Sequence, residues 1–223
     1  MCIKPPGCEL IINGFITEGP QVKFSELTPT LTGPAFNRML ELPNKLFLKK
    51  GASKISLKTK LFFKDKAFFM SQLTKEIASA VKSASKKNLI PCFRLNLTSD
   101  LPWEKILFNG KSIFDAFPLV QFYDYTKSPS RMTSFLSGEL PANYHLTFSR
   151  SESNEPLVAA VLASGGNVAV VFRGKLPKKW KNKRVVSGDE SDLRFNDPKN
   201  VVIGLVEKGK AKKEFSGFVV EPA

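Results

Sequence analysis

The order of apolar and polar residues predicts alternating helices and strands after residue 53. In KAFFMSQLTKEIASAVKSASKKN the apolar residues recur about every 3.6 positions, which predicts an amphipathic helix. Asp65 stands where an N-cap belongs, and Lys86 and Lys87 stand at the negative end of the helix dipole. Shorter apolar runs predict strands at 91–97, 119–124, 144–149, 167–172 and 201–206.

Helical patterns separate these apolar runs. They are WEKILF with SIFDAF, the region around SRMTSFL, and EPLVAAVLASGG, whose Gly165 and Gly166 are a helix stop signal. The run NVAVVF that follows is almost wholly apolar, which is typical of a strand covered on both faces. Strands that alternate with helices predict an α/β fold with a mostly parallel sheet of βα units. A partial or irregular barrel of the same units is the alternative.

The first 52 residues have a different pattern. Prolines and glycines interrupt this segment every few positions, and proline removes a backbone donor and disfavours helix at the preceding residue. We expect loops, with one short strand at LIING and one short helix near FNRMLEL. The sequence therefore predicts an irregular N-terminal segment (1–52) followed by a single α/β domain (53–223).

The charge balance indicates a strongly basic surface. The chain has 34 Lys and Arg against 20 Asp and Glu, a formal net charge of +14. Such a surface attracts polyanions, nucleic acid above all, although a solvated basic surface without a dedicated partner has the same composition. No apolar run approaches the ~20 residues of a spanning helix, and an odd set of three cysteines fits a reducing compartment. We expect a soluble, cytoplasmic protein that contacts no membrane.

Polar side chains stand at the carboxyl ends of the predicted strands. Ligands of parallel α/β proteins bind at that edge, so these side chains predict one shared polar pocket. The alternative is that loops after strands are polar in any protein. The candidate catalytic groups, as acids, bases or cation ligands, are Asp100, Asp124, Asp189 and Asp192. The candidate substrate-binding groups are Arg94, Asn96, Thr98, Tyr125, Thr126, Lys127, Ser149, Arg150 and Arg194.

A basic run around one tryptophan predicts a nucleic-acid contact. KLPKKWKNKR at 175–184 holds six basic residues and no acid, and EKGKAKK at 207–213 adds a second basic run. Basic side chains neutralise phosphates, and an indole ring stacks on bases. A solvated hairpin tip explains the same run. The candidate nucleic-acid-binding residues are Lys178, Lys179, Trp180, Lys181, Lys183 and Arg184.

The cysteines and the single histidine do not complete a metal site. Cys2 and Cys8 flank IKPPG, and thiolates suit zinc or an iron–sulfur cluster, but such sites use four ligands. Cys92 begins a predicted buried strand, and His145 lies inside the predicted strand YHLTF. The chain has no GxGxxG, P-loop, GxSxG or HExxH motif. No metal ligands are therefore predicted, and the cofactor is left unknown.

Several long stretches resemble one family. They are KTKLFFKDKAFFMSQLTKEI, RLNLTSDLPWE, FPLVQFYDYTK, NYHLTFSRSE, NVAVVF and GDESDLRFNDPKNVVIGLVEKGKA, within residues 55–220. In these stretches the chain resembles the "gene product 88"-like domain family of bacteriophage proteins, whose function is uncharacterised. The resemblance implies a viral setting more than a reaction. The family's recurrent polar blocks fall on most of the strand-end candidates above, and also on Ser99, Trp103, Glu104 and Asp197.

The resemblance also implies a cysteine-rich N-terminal segment, similar in style to the cluster-binding loops of radical-type barrel enzymes. Cys2 and Cys8 correspond to the first two cysteines of that pattern, whereas Ile11 and Ile12 stand where the third belongs. Three functions stay open. The chain is an enzyme acting on a phosphorylated, nucleotide or nucleic-acid substrate, a non-catalytic nucleic-acid-binding phage protein, or a degenerate iron–sulfur cluster-binding enzyme.

Overall fold

The computed structural model describes most of the chain and divides it into two compact units. The first unit is Met1–Phe93 with Lys105–Val120, and the second is Arg94–Glu104 with Gln121–Ala223. The boundary predicted after residue 52 and the predicted helix near FNRMLEL lie outside the described residues and stay predictions. The described residues are 8–12, 15–17, 61–86, 88–96 and 99–222.

The first unit contains the long helix that the apolar period predicts. The helix α1 (Lys66–Lys86) buries Phe69, Met70, Ile77 and Ala84. Asp65 Oδ1 accepts a hydrogen bond from the N–H of Phe68 at 2.9 Å, so the predicted N-cap is confirmed. The other described elements of this unit are an antiparallel pair, β1 (Cys8–Ile12) and β2 (Phe15–Thr17), then β3 (Ile90–Arg94), whose last residue opens the second unit, and α2 (Ile113–Ala116).

The second unit is a twisted layer of strands joined by helices. Its elements are β4 (Gln121–Thr126), α3 (Pro129–Leu136), β5 (Tyr144–Ser149), α4 (Glu155–Ala163), β6 (Val168–Phe172), β7 (Lys179–Trp180), β8 (Lys183–Ser187) and β9 (Val202–Val206). Within it the strand order is β4-β5-β6-β9-β8-β7, and every pair is parallel except the β7–β8 hairpin. The predicted α/β fold with a mostly parallel sheet is confirmed.

The sheet is open, which corrects the barrel alternative. A barrel requires hydrogen bonds between the first and last strands of the order. Among the described strands no pairing joins β4 to β7, and β7 is only two residues long. The last strands instead fold back on each other as a tight hairpin, so the sheet ends there.

The register decides which strand ends lie at the same level. β4 and β5 pair from Phe122↔Tyr144 to Thr126↔Phe148, so these two strands end together. β5 and β6 overlap only at Phe148↔Val168 and the next pair, so β6 begins where β5 ends. The polar residues after β4 and β5 therefore lie level with the start of β6, and the strands do not end at one common rim.

Side chains alternate between the two faces of β4 and β5. Asp124 and Thr126 share one face with Tyr144, whereas Tyr125 shares the other with Thr147. The helix α3 packs against β5, and α4 packs against β6. No helix in the described part of the chain is long and apolar enough to span a bilayer.

Candidate functional site

Asp124 is the centre of a hydrogen-bonded network on one face of β4 and β5. The carboxyl group is fully buried. Its Oδ1 accepts from the backbone N–H of Asn96 at 2.7 Å, and its Oδ2 accepts from the Tyr144 hydroxyl at 2.8 Å. Burial raises the pKa of Asp124 to about 7, although these hydrogen bonds and the charges of Arg94 and Arg131 lower it. The carboxyl group therefore changes charge near neutral pH while holding both partners.

Asn96 ties the chain that follows β3 to this carboxyl group. Its Oδ1 accepts from the indole N–H of Trp103 at 3.0 Å and from the hydroxyl of Ser99 at 2.8 Å. The backbone of Leu101 bonds to both ends of the amide, because its N–H donates to Oδ1 and its carbonyl accepts from Nδ2. The Asn96 side chain thus fixes residues 99–103, and its polar atoms are all occupied.

Arg131 joins two acidic side chains to the same network. Its Nε and Nη2 donate to the two carboxylate oxygens of Glu104 at 2.9 and 3.0 Å, and its Nη1 donates to Asp100. Its Nη2 also lies 2.6 Å from the hydroxyl oxygen of Tyr144. Burial by itself lowers the pKa of Arg131. The hydrogen bonds to Glu104 and the nearby acidic groups outweigh burial, so the pKa lies above its ordinary value. The guanidinium is therefore held in one place with its charge balanced.

Asp100 fastens the end of β4 to the network. Its carboxylate accepts from the Thr126 hydroxyl at 2.9 Å and from the backbone N–H of Lys127 at 2.8 Å. The same hydroxyl accepts from the N–H of Ser128, which begins α3 as its N-cap. We call these six residues the Asp124 network: Asn96, Asp100, Glu104, Asp124, Arg131 and Tyr144. The structure thus brings five predicted residues together, because Asn96, Asp100 and Asp124 belong to this network and Thr126 and Lys127 bond to Asp100.

The opposite face of the same strands carries three other predicted residues at its accessible edge. Arg94 Nη1 lies 3.2 Å from Asp192 Oδ2 in an ion pair whose side chains are 17% and 19% exposed. The Tyr125 hydroxyl donates to Asp192 Oδ1 at 3.2 Å, and the Arg94 guanidinium lies 4.5 Å above the Tyr125 ring. Burial first, and then the charge of Asp192, raise the pKa of Tyr125. The phenol therefore stays protonated and remains a donor.

Arg194 is fully buried on this face and only partly hydrogen-bonded. Its Nη2 donates to the carbonyl of Ser191. Its Nε lies 3.3 Å from Asp197 Oδ2, which is ion-pair distance, but the N–H is not directed at that oxygen, and neither atom has a hydrogen-bond partner. A Cβ at position 188 would lie 2.8 Å from Arg194 Nη1, so Gly188 leaves room for the guanidinium. Burial raises the pKa of Asp197 to about 6, with Arg194 lowering it.

Arg194 is not the one residue in the described part of the chain with buried polar atoms that lack hydrogen-bond partners. In the part of the chain that the structure describes, such atoms belong to Arg94, His145, Thr147, Arg194 and Asp197. Burial lowers the pKa of His145 to about 4, and the charge of Arg194 lowers it as well, so the imidazole is neutral at pH 7. We call these five residues, with Tyr125 and Asp192, the Arg194 cluster. Most of the unused hydrogen-bonding capacity is in guanidinium N–H groups, and the partly exposed side chains of Arg94, Tyr125 and Asp192 mark the side from which a bound group would approach them.

The remaining predicted residues have partners elsewhere. Arg150 donates from Nη1 to the carbonyls of Gly217 and Phe218 at 2.7 and 2.8 Å, so it holds the C-terminal segment. The carbonyl of Ser149 accepts from Asn154 Nδ2 at 2.9 Å. Asp189 accepts from Lys208 Nζ at 2.7 Å. No described hydrogen bond or ion pair links these three residues to Asp124 or Arg194, and Thr98 lies outside the described residues.

The basic run predicted to bind nucleic acid forms the β7–β8 hairpin. Trp180 is half-buried, and its ring meets the Phe172 ring edge-on at 6.1 Å. The ammonium group of Lys181 lies 5.1 Å from the indole and 2.7 Å from a Glu155 carboxylate oxygen. The other basic side chains of the hairpin are half-buried at Lys183 and exposed at Lys178, Lys179 and Arg184.

Two central residues of the Asp124 network, Arg131 and Tyr144, were not predicted from the sequence. Arg131 is the third residue of α3, at the positive end of the helix dipole, where a cation is unfavourable unless acids pair with it. This unfavourable position is the sequence feature from which paired acids near Arg131 could have been predicted. Tyr144 gave no comparable signal, because a tyrosine at the start of a strand is ordinary. Asp197 was already among the polar positions that the family resemblance marks, whereas the unpartnered atoms of His145 and Thr147 are evident only in the structure.

The residues that the structure describes contain no candidate metal site, because no three His, Cys, Asp or Glu side chains among them are grouped to hold a metal ion. Cys92 is buried and forms no disulfide, and Cys8 lies in β1. Cys2 lies outside the described residues, so the iron–sulfur alternative stays a prediction.

Comparison with known proteins gave one match. A family model described as "Gene product 88" matches residues 52–222, a span that includes the Asp124 network, the Arg194 cluster and the β7–β8 hairpin. No curated protein and no solved structure matches the chain.

Proposed function

The chain belongs to the gene product 88 family of bacteriophage proteins, and from that premise we propose that it is an enzyme acting on a phosphorylated substrate of the nucleotide class, bound at the Arg194 cluster. One observation carries the proposal. The Arg194 guanidinium is fully buried, and its Nε and Nη1 have no hydrogen-bond partner, as is also true of Arg94 Nε.

An anion is the group that suits these donors best. Guanidinium N–H groups match phosphate oxygens in geometry and charge, and hydrogen bonds to charged groups are about twice as strong as neutral ones. The local acids leave part of the hydrogen-bonding capacity of the two arginines unused. Asp192 pairs with Arg94, but Asp197 has a pKa of about 6 and no aligned hydrogen bond to Arg194. Burial strengthens any electrostatic contact made there, because the effective dielectric constant is low.

The proposed roles follow from these contacts. Arg94 and Arg194 bind and neutralise the phosphate group. Asp192 orients Arg94 and the Tyr125 hydroxyl, since it bonds to both. Asp197 exchanges a proton with the substrate, because a carboxyl group with a pKa of about 6 works well as an acid or base near neutral pH.

Asp124 has a supporting role in this proposal. It lies on the other face of β4, and each of its oxygens accepts a hydrogen bond from Asn96 or Tyr144. We assign it the role of a positioning residue that holds the segment after Arg94. Asp100 and Thr126, which bond to each other at the end of β4, belong to the same support.

Isothermal titration calorimetry with inorganic phosphate, AMP and ATP tests the binding step. We expect Arg94→Gln to weaken binding about 10- to 100-fold, since hydrogen bonds between charged groups contribute about 1.5–3 kcal/mol. Lys82→Gln is the matched control, because it removes the same charge from an exposed side chain of α1. Equal losses in both variants, or no binding of any of the three probes to the wild type, would overturn the proposed site.

Product formation tests the catalytic step separately. ³¹P NMR of a nucleoside-phosphate panel incubated with the protein should detect turnover in the wild type. Asp197→Asn should bind the same compound but lose most of that turnover, because the amide cannot exchange the proton. Unchanged turnover in Asp197→Asn would remove this residue from the mechanism, and binding without any turnover would make the protein a binder rather than an enzyme.

The non-catalytic alternative has separate support. The exposed lysines of the β7–β8 hairpin favour nucleic-acid binding, and that function does not depend on the Arg194 cluster. A protein of this kind binds oligonucleotides but shows no turnover and no effect of Arg94→Gln. Iron and sulfide analysis of anaerobically purified protein tests the third function.

A further inference from the structure

We propose that the β7–β8 hairpin binds the phosphate backbone of a nucleic acid, without stacking on its bases. We define the hairpin surface by its five basic residues, which are Lys178, Lys179, Lys181, Lys183 and Arg184. This docking surface is additional to the proposed substrate site, and it does not require the chain to be an enzyme.

The hairpin holds like charges directly opposite each other. Lys179 pairs with Arg184 across the two antiparallel strands, and both side chains are exposed. Residues opposite each other in such a pair project from the same face, where like charges repel. No ion pair is described for either side chain. A bound anionic group between them converts this repulsion into two attractive contacts.

The turn of the hairpin adds a third cation close by. It consists of Lys181 and Asn182, whose φ values of 49° and 60° lie in the left-handed region that a two-residue hairpin turn requires. Lysine is unusual there, because a side chain disfavours this conformation. Lys181 pairs with Glu155, and this is the one ion pair described for the hairpin surface. Four of the five basic side chains therefore have no described acidic partner.

The side chains of the hairpin surface favour a polyanion that the protein contacts at its phosphate groups. Trp180 is half-buried, its ring lies nearly perpendicular to the Phe172 ring, and the Lys181 ammonium group lies 5.1 Å from the indole, so only part of the ring is open to base stacking. None of the large apolar side chains that are exposed in the described residues belongs to the hairpin, so the surface offers no anchor for a membrane. Lysine and arginine contacts to phosphates give affinity without sequence preference. The net charge of +14 favours the same partner.

Salt dependence measures the number of phosphate contacts directly. Fluorescence anisotropy with a labelled single-stranded oligothymidine should be recorded between about 50 and 200 mM salt, where log K falls by ~0.7 per contact for each decade of salt. We expect the double variant Lys179→Gln/Arg184→Gln to lower the magnitude of this slope by about 1.4, the value for two lost contacts. Affinity at the lower salt concentration should fall at least tenfold.

A second double variant is the matched control. Lys75→Gln/Lys82→Gln removes the same charge from exposed side chains of α1, and we expect its slope to match the wild type. Equal slopes in both double variants would overturn the hairpin assignment, because the affinity would then be a property of the overall charge. Binding of polyglutamate as tight as that of the oligonucleotide would overturn the choice of partner.

The two proposals can fail independently. Lys179→Gln/Arg184→Gln should keep the wild-type affinity for AMP in calorimetry, and Arg94→Gln should keep the wild-type salt slope for the oligonucleotide. Loss of AMP binding in the hairpin variant, with an unchanged melting temperature, would contradict a separate docking surface. The absence of oligonucleotide binding by the wild-type protein would remove the surface and leave the substrate site unaffected.

Discussion

The two faces of the β4–β5 pair are built from alternating residues of the same strands, yet the buried polar groups on them differ in how many hydrogen-bond partners they have. On one face, the carboxyl group of Asp124 and the guanidinium of Arg131 each have several aligned partners. On the other face, the guanidinium of Arg194, the hydroxyl of Thr147 and an imidazole nitrogen of His145 lack them. Asp124 and Arg194 are both fully buried, so the burial of a charged group alone does not explain the difference.

This difference distinguishes a stabilising network from a candidate binding site. A buried polar network whose members are all hydrogen-bonded fixes the backbone around it. A buried donor or acceptor without a partner costs about 1–3 kcal/mol, and native proteins keep few of them. Groups that lower stability yet stay together in one place are typical of sites that bind a ligand. The Asp124 network is thus the support, and the Arg194 cluster is the candidate site.

The largest expected effect comes from breaking the Asp124 network. Arg131→Met removes the partner of the buried Glu104 carboxylate and should lower the free energy of unfolding by about 3–5 kcal/mol. Denaturant unfolding measures this loss. The control is Lys208→Met, because the Lys208 side chain is 74% exposed in its pair with Asp189 and the loss of that pair should cost at most about 1 kcal/mol. Similar losses in both variants would show that Arg131 is not a buried anchor.

The next effect is a dependence of stability on pH. The folded-state pKa of Asp124 lies above its ordinary value of 3.8, so its contribution to stability is present below pH 3.8 and is lost as the pH rises through about 7. The difference in unfolding free energy between wild type and Asp124→Asn should therefore decline from pH 4 to pH 7, by at most about 1.4 kcal/mol per pH unit. A difference that rises with pH would mean that the network lowers this pKa instead.

One substitution made on both faces sharpens the comparison further. Thr126→Val removes a hydroxyl that donates to Asp100 and accepts from Ser128, so it should destabilise the protein by about 1–2 kcal/mol. Thr147→Val removes a buried hydroxyl without a partner, so it should be neutral or stabilising by up to about 1 kcal/mol. Thermal unfolding of the two variants gives the comparison. Equal destabilisation would contradict it.

The smallest expected effect is the titration of His145. Because this is the chain's single histidine, its ring proton resonances are easily identified by NMR. They should stay constant from pH 8 down to about pH 5, since the pKa of His145 is about 4. Inorganic phosphate should raise that pKa, because a bound anion favours the imidazolium form. An ordinary pKa near 6.5 would contradict first the burial of His145 and then its nearness to the Arg194 charge.

Much of the fold could be predicted from the apolar pattern. The strand at 144–149 and the main helix have the predicted bounds to within a few residues, because each presents a clear period and clear end signals. The strand Lys183–Ser187 was not predicted, because its apolar residues Val185 and Val186 follow a basic run that is typical of a loop. Whether the sheet closes depends on pairing between distant strands, and the pattern of one strand does not encode that pairing.

The candidate site could be predicted as a set of residues but not as a geometry. Asp124 and Tyr125 are neighbours in sequence, yet alternation sends their side chains to opposite faces and into different clusters. Arg150 follows a strand as a site residue would, but it binds the carbonyl of Phe218. The offset between β5 and β6 is set by tertiary packing, and it decides which strand ends meet. Hydrogen-bond satisfaction, which separates the two faces, exists only in the folded chain.

The most direct test observes one arginine on each face during a single titration. Arginine Nε–H resonances of Arg194 and Arg131 can be assigned from Arg→Lys variants and followed by ¹H–¹⁵N NMR as inorganic phosphate is added. We predict that the Arg194 resonance shifts and saturates, because its Nε–H gains an acceptor, while the Arg131 resonance, already bonded to Glu104, stays in place. An unchanged Arg194 resonance, or equal shifts of both, would contradict the assignment of the two faces.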